Sequence, residues 1–182
     1  GQSVLVLGSG LTGLLHINLA RALGAGLIVA TDVAEYRLDA ARQFGADFAF
    51  SATDDIPSRM REVNDGRVAD LVIVCTGATP ALGQALQSVE RGGTVLFFAP
   101  TQPGVELPVS INDVFFRNNV TLTTTYAAAP ADLTAALELI AAGSVRVGEM
   151  ISHRLGLAEA ALGFKLTAEA QESLKVIIEP QR

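Results

Sequence analysis

Val4-Leu-Val-Leu-Gly8-Ser-Gly10-Leu-Thr-Gly13 reads as an apolar strand, a tight glycine turn and the start of a helix. The apolar run 27–31 follows as a second strand, with Asp32 at its end, 19 residues past Gly13. Strand, glycine turn, helix, strand and acid in this order make a βαβ unit suited to a dinucleotide. Gly8 lets the chain turn sharply, Gly10 lets backbone approach a pyrophosphate, and Gly13 lets the helix pack close to the strand. The first helical N–H groups then point at the phosphates. Three spaced glycines are weak evidence in a chain that has 17 of them; the flanking elements and Asp32 supply the rest.

Composition narrows the class without naming a function. A chain of 182 residues suits one domain with an appended segment and can bury a sizeable core. Its apolar residues are spread through short runs, none of which approaches the roughly 18 uninterrupted apolar residues of a membrane span. No basic leader precedes the first strand, so no signal peptide is visible. A formal net charge of -6, with no basic stripe, argues against nucleic acid as a partner. The single cysteine cannot form an internal disulfide, which fits a cytoplasmic setting. The chain starts at Gly1 directly on its first strand, which reads as a piece of something longer.

Strand and helix alternate almost throughout. Strands are predicted at 3–7, 27–31, 47–50, 70–75, 94–98 and 120–125, and helices at 11–24, 34–44, 57–64, 79–90 and from 130 to about 142. This alternation predicts an α/β fold: a doubly wound, six-stranded parallel sheet. Between the fifth and sixth strands, residues 100–116 form a connection too long and proline-rich for a simple crossover, with an extended piece near 105–110 and a short helix after Asn112. Beyond Gly148 a short strand, a helix over 157–168 and a final strand at 175–179 make a C-terminal helix–strand segment. The expected division is a nucleotide-binding domain over 1–149 and a segment over 150–182.

Four stretches together resemble the coenzyme-binding, C-terminal portion of the zinc-type medium-chain alcohol dehydrogenases, in their polyol and threonine dehydrogenase branch. They are the glycine stretch 4–13; Thr31-Asp-Val-Ala-Glu-Tyr-Arg-Leu-Asp-Ala-Ala41 with Phe44-Gly-Ala-Asp47; Arg91-Gly-Gly-Thr-Val95; and Ile151-Ser-His-Arg-Leu-Gly-Leu157 with Leu174-Lys-Val-Ile-Ile-Glu-Pro180. The resemblance covers essentially the whole chain and implies a Rossmann fold. Members of the family carry their zinc ligands and substrate cleft in a preceding domain, so it implies no catalytic residue and no metal ligand here. Cys75, His16 and His153 are scattered, with no H-E-x-x-H or C-x-x-C among them.

The resemblance also implies roles. Gly8, Gly10, Leu11, Thr12 and Gly13 would hold the pyrophosphate, and Asp32, with Val33 beside it, would meet the adenosine ribose. The Asp32 carboxylate would repel a 2′-phosphate, favouring NAD over NADP. Arg37 would cover the adenosine, and Thr76 and Gly77 would offer backbone to ribose. Phe98, Ala99 and Tyr126 would line the nicotinamide site, although relatives often carry glycine where Phe98 stands. Lys175 would reach the pyrophosphate from the returning tail, while the final strand is expected to have an unpaired edge. The whole enzyme would pass hydride between an alcohol or polyol and NAD, as a homodimer joined through the alternating apolar residues of 105–111. Two other classes share parts of the pattern: a stand-alone nucleotide-sensing domain, and a methyltransferase binding S-adenosylmethionine, which usually has an acid just before its glycines where this chain has Leu7.

Overall fold

β1 (Ser3–Leu7) is buried along its whole length in the computed structural model, which describes residues 1–169 and 172–181. It lies between β2 (Leu27–Asp32) and β4 (Ala69–Val74), parallel to both, with Leu5 opposite Val29 on one side and Val72 on the other. A strand covered on both faces must be apolar at every position, which is why Val4-Leu-Val-Leu shows no alternation. β3 (Phe48–Ser51), β5 (Val89–Phe97) and β6 (Thr121–Thr124) complete a six-stranded parallel sheet in the order β3-β2-β1-β4-β5-β6.

Successive residues of each strand feed two separate cores. On one face Val4, Val6, Ile28 and Ala30 pack with α1 (Leu11–Ala22) and α2 (Glu35–Gln43) through Leu14, Ile17 and Leu38. On the other, Leu5, Leu7, Val29 and Val72 pack with α3 (Ile56–Val63) and α4 (Thr79–Gln87) through Ile56, Met60 and Leu82. Helices on both faces make the doubly wound architecture that the alternation predicts. Leu5, Leu14 and Ile17 are fully buried, and truncating any one to alanine would cost roughly 2–5 kcal/mol.

Elsewhere the structure corrects details. α4 stops at Gln87 rather than near 90, and the chain is already extended at Val89, opposite Ala69. Gly92 and Gly93 therefore sit inside β5 at a register irregularity instead of ending a helix, and position 93 takes glycine because a Cβ there would approach the carbonyl oxygens of Asp70 and Glu90 to 2.8 Å. Residues 105–110 form no strand. Their apolar alternation is real, but Val105 and Leu107 turn inward onto the second core. The short helix after them is a π-helical turn, Ile111–Phe116, begun by the Ser110 hydroxyl accepting the Asp113 N–H at 3.2 Å.

α5 (Pro130–Ala141) starts where Asp132 accepts the Ala129 N–H at 2.8 Å. β7 (Ile151–Gly156), α6 (Ala160–Glu169) and β8 (Lys175–Glu179) follow, with single 3-10 turns before and after β7. β8 pairs in parallel with β7 along one edge as a separate two-stranded sheet, and among the described residues no strand lies along its other edge. Among the described residues no helix is long and apolar enough to cross a membrane.

Candidate nucleotide site

The chain leaves β1 toward β2 on one side, while β4 lies on the other. Where the strand order reverses in this way, the C-terminal ends of the two strands enclose a crevice. Gly8, Thr76 and Gly77 meet in it. Gly8 has φ +94°, and a Cβ there would lie 3.0 Å from the Thr76 Cβ. A Cβ on Gly13 would run into the Gly8 carbonyl oxygen, and one on Gly77 would come within 2.7 Å of the Pro100 carbonyl oxygen. These glycines are demanded by the protein's own backbone.

Gly10 is different. Its φ of -66° and ψ of -174° suit any residue, and a Cβ there would meet nothing within 4 Å. It is the N-cap of α1, yet it offers no side-chain acceptor, and the first turn carries no acid. The positive end of the helix dipole is thus open at a spot kept free of side chain, which is what a phosphate requires.

Asp32 closes one end of this crevice. Only 5% exposed, it accepts the Ser9 N–H at 2.8 Å on Oδ2 and the Ala34 N–H at 3.1 Å on Oδ1. Arg37 Nη1 lies 3.7 Å from Oδ2, and its Nε donates to the Tyr36 hydroxyl at 2.8 Å. Ser9 is itself fully buried, its hydroxyl donating to the Thr31 carbonyl at 3.1 Å. Ser9 is not among the residues expected at the site; a small polar residue between two glycines, with an acid at the next strand end, is its signal in the sequence. Val33, next to Asp32, is exposed.

At the other end, beyond β5 and β6, a cavity of about 670 Å³ is lined by Phe98, Ala99, Pro100, Thr125 and Tyr126, among others. Phe98, Ala99 and Tyr126, expected to end the strands, lie just past them, and Tyr126 is 98% exposed. Phe98 sits edge-on to His16 at 4.5 Å between ring centroids. His16 Nδ1 donates to the Thr12 carbonyl at 2.8 Å and lies 3.5 Å from Cys75 Sγ, a pair 59 residues apart with no local pattern to connect it. Burial holds the His16 imidazole below its ordinary value and pushes the Cys75 thiol up to about 12. Lys175 borders a second groove of about 350 Å³ that begins at Leu11 and is walled by α6. His153 stands apart, its Nδ1 2.9 Å from the Ser152 hydroxyl.

Among the described residues no three His, Cys, Asp or Glu side chains come together to hold a metal ion. The donor set of a tetrahedral zinc site is therefore not found in them.

A family model described as zinc-binding dehydrogenase matches residues 12–142. The chain is 32% identical, over 98% of its length, to the Aspergillus clavatus protein named "Probable D-xylulose reductase A", of which it covers 50%. The alcohol dehydrogenase TADH of Thermus sp. ATN1 superposes with a TM-score of 0.86 at 31% identity, over 97% of this chain and 50% of that one. A Sinorhizobium meliloti 1021 structure with bound NADP superposes with a TM-score of 0.87 at 26% identity, over 99% of this chain and 53% of that one. The chain spans about half the length of the relatives it matches.

Proposed function

The chain belongs to the zinc-binding dehydrogenase family, and from this premise we propose that it is the coenzyme-binding part of an NAD-dependent alcohol or polyol dehydrogenase. The observation that carries the proposal is Gly10, a residue without a side chain where the fold itself has room for one, at the open N-terminus of α1. In this reading Gly8, Gly10, Leu11, Thr12 and Gly13 cradle the pyrophosphate and Lys175 approaches it from the tail segment 150–182. Asp32, Val33 and Arg37 hold the adenosine ribose, and Thr76 and Gly77 present backbone to the second ribose. Phe98, Ala99 and Tyr126 border the nicotinamide. Bound there, the nicotinamide would accept or release a hydride. The chain's own part is to bind, orient and exclude water. The ligands of a zinc ion and the substrate cleft would come from outside these residues. Reduction of the ketone of D-xylulose, the substrate in the fungal relative's name, yields a polyol, which supports that substrate class.

We further propose that Asp32 favours NAD over NADP. Its carboxylate is buried, so a 2′-phosphate would meet it with little screening, and Arg37 at 3.7 Å offsets only part of that charge. NADH should bind several-fold more tightly than NADPH. At a hundredfold excess over Kd, NADH should add about 2.7 kcal/mol and raise the midpoint of thermal unfolding by roughly 5–10 °C. Equal shifts with the two cofactors would remove the assignment of Asp32.

A homodimer joined near residues 105–111, along the edge that β6 leaves open, is also part of the proposal. Val109 is half-buried beside the exposed Ile111. Light scattering should give about twice the 19.0 kDa chain mass, falling toward it on Val109→Lys; a monomer without the substitution, at tens of micromolar, counts against it.

A further inference from the structure

We infer that Tyr36 is a positioning residue that couples the adenosine end of the nucleotide site to the strand that brings Lys175 to its pyrophosphate end. The inference rests on the nucleotide-binding reading above and adds to it a residue that holds two parts of the site in register.

Tyr36 lies in the first turn of α2, and its hydroxyl is engaged twice. It accepts from Arg37 Nε at 2.8 Å and donates to the Ser173 carbonyl at 3.3 Å, a bond that spans 137 residues of sequence. A phenol that accepts from a guanidinium is polarised into a better donor, so the two bonds strengthen each other. On one side, Arg37 is placed between the Tyr36 hydroxyl and the Asp32 carboxylate, with its guanidinium carbon 5.6 Å from the Tyr36 ring centre. On the other, Ser173 is buried two residues before Lys175. Its hydroxyl donates to the Leu166 carbonyl of α6 at 2.8 Å, and the Leu174 N–H donates to the Ser152 hydroxyl of β7 at 3.0 Å. These two bonds fix the 173–175 segment to its own two-stranded unit. The Tyr36 bond ties it to α2, beside the packing of Leu174 on the first core, and so helps set where Lys175 stands relative to Leu11 and the start of α1.

The test uses the purified protein with Tyr36→Phe, Lys175→Ala and the double variant. The probes are ADP-ribose, which carries a pyrophosphate, and adenosine, which does not. Lys175→Ala should weaken ADP-ribose about tenfold, the scale of one lost charge-assisted hydrogen bond, and leave adenosine unchanged. Tyr36→Phe, which keeps the ring, should lower the ratio of ADP-ribose to adenosine affinity several-fold. The double variant should show the same ratio of ADP-ribose to adenosine affinity as Lys175→Ala alone, because both changes remove the same contact at the pyrophosphate. A purely structural tyrosine would lower stability and leave that ratio unmoved. Losses of that ratio that multiply in the double variant, or an unchanged ratio in Tyr36→Phe while Lys175→Ala is weakened, overturn the inference and spare the nucleotide reading. A silent Lys175→Ala removes the role of Lys175 and the inference with it, and wild-type protein that binds no ADP-ribose removes the nucleotide reading as a whole. Amide hydrogen exchange gives a check without ligand: Tyr36→Phe should speed exchange across 173–177 but not in β2, and unchanged protection at 173–177 also overturns the inference.

Discussion

Around the turn from β1 into α1, backbone meets backbone on nearly every side: Gly8 lies against Cys75 and Thr76, and Gly13 against the Gly8 carbonyl. Along α5 the opposite holds. Leu133, Leu137 and Ile140 share one face at helical spacing, and all three are exposed. In the first region each residue type is dictated by something else in the same chain. In the second, the sequence dictates a helix and an apolar stripe, but the described residues supply nothing to cover it. The contrast separates residues whose type the fold dictates from residues whose type nothing in the described residues dictates, and Gly10 belongs with the second kind although it sits within the first.

The largest expected effect comes from splitting the two glycines. Gly13→Ala forces a methyl group into the Gly8 carbonyl and should cost about 3–5 kcal/mol, the size of a severe core change. Gly10→Ala meets nothing and should leave stability within about 1 kcal/mol of the parent, while NADH affinity falls tenfold or more. Urea unfolding and NADH titration of the two variants read both quantities. A comparable loss of stability in both would mean that Gly10, too, is fixed by the fold.

A smaller effect should come from His16, which lies on the boundary between the packed crevice and the cavity beyond β5. Burial favours its neutral form in the folded chain, so its pKa there is below that of the unfolded chain. The stability it contributes is complete above about pH 6.5, the ordinary value of an unfolded histidine, and is lost as pH falls below that toward the lower folded value. Cys75, with its thiol pushed up to about 12, stays protonated throughout and supplies no compensating negative charge. Unfolding midpoints at pH 7.5 and pH 5 should therefore differ less in His16→Leu than in the parent chain. An identical difference in both would place the acid sensitivity elsewhere.

The same contrast explains what could be read from the sequence. β1, the glycine turn, Asp32 and the six-strand alternation were legible because their constraints are short-range: a buried strand needs an unbroken apolar run, and a tight turn needs glycine. The early end of α4 was not, since Val89 is drawn into β5 by pairing with Ala69 across the sheet, a tertiary preference that local propensity does not carry. Residues 105–110 keep their alternation without forming a strand, with Val105 and Leu107 on the chain's own second core, because periodicity says that one side is buried but not against what. Ser9, Tyr36 and the His16–Cys75 pair were missed because their partners, Asp32, Ser173 and each other, lie 23, 137 and 59 residues away.

The smallest expected effect tests the exposed side of the comparison. Leu137 is 67% exposed at the middle of the α5 stripe, with Leu133 one turn before it and Ile140 one turn after. Leucine and lysine have similar helix propensities, so the exchange leaves the helix itself almost unaffected. Little buried area is lost, since most of the side chain already faces water, and a lysine can lay its methylenes on the same surface with its ammonium in solvent. Leu137→Lys should therefore change the unfolding free energy of this chain by no more than about 0.5 kcal/mol, as for other surface positions, whereas Leu14→Ala, at a fully buried site on α1, should cost roughly 2–5 kcal/mol. Denaturant unfolding of the two variants side by side gives the ratio. If Leu137→Lys costs more than about 1 kcal/mol, well above the surface range, then α5 is covered in solution, and the division between a self-sufficient crevice and an unpartnered flank does not hold for this helix.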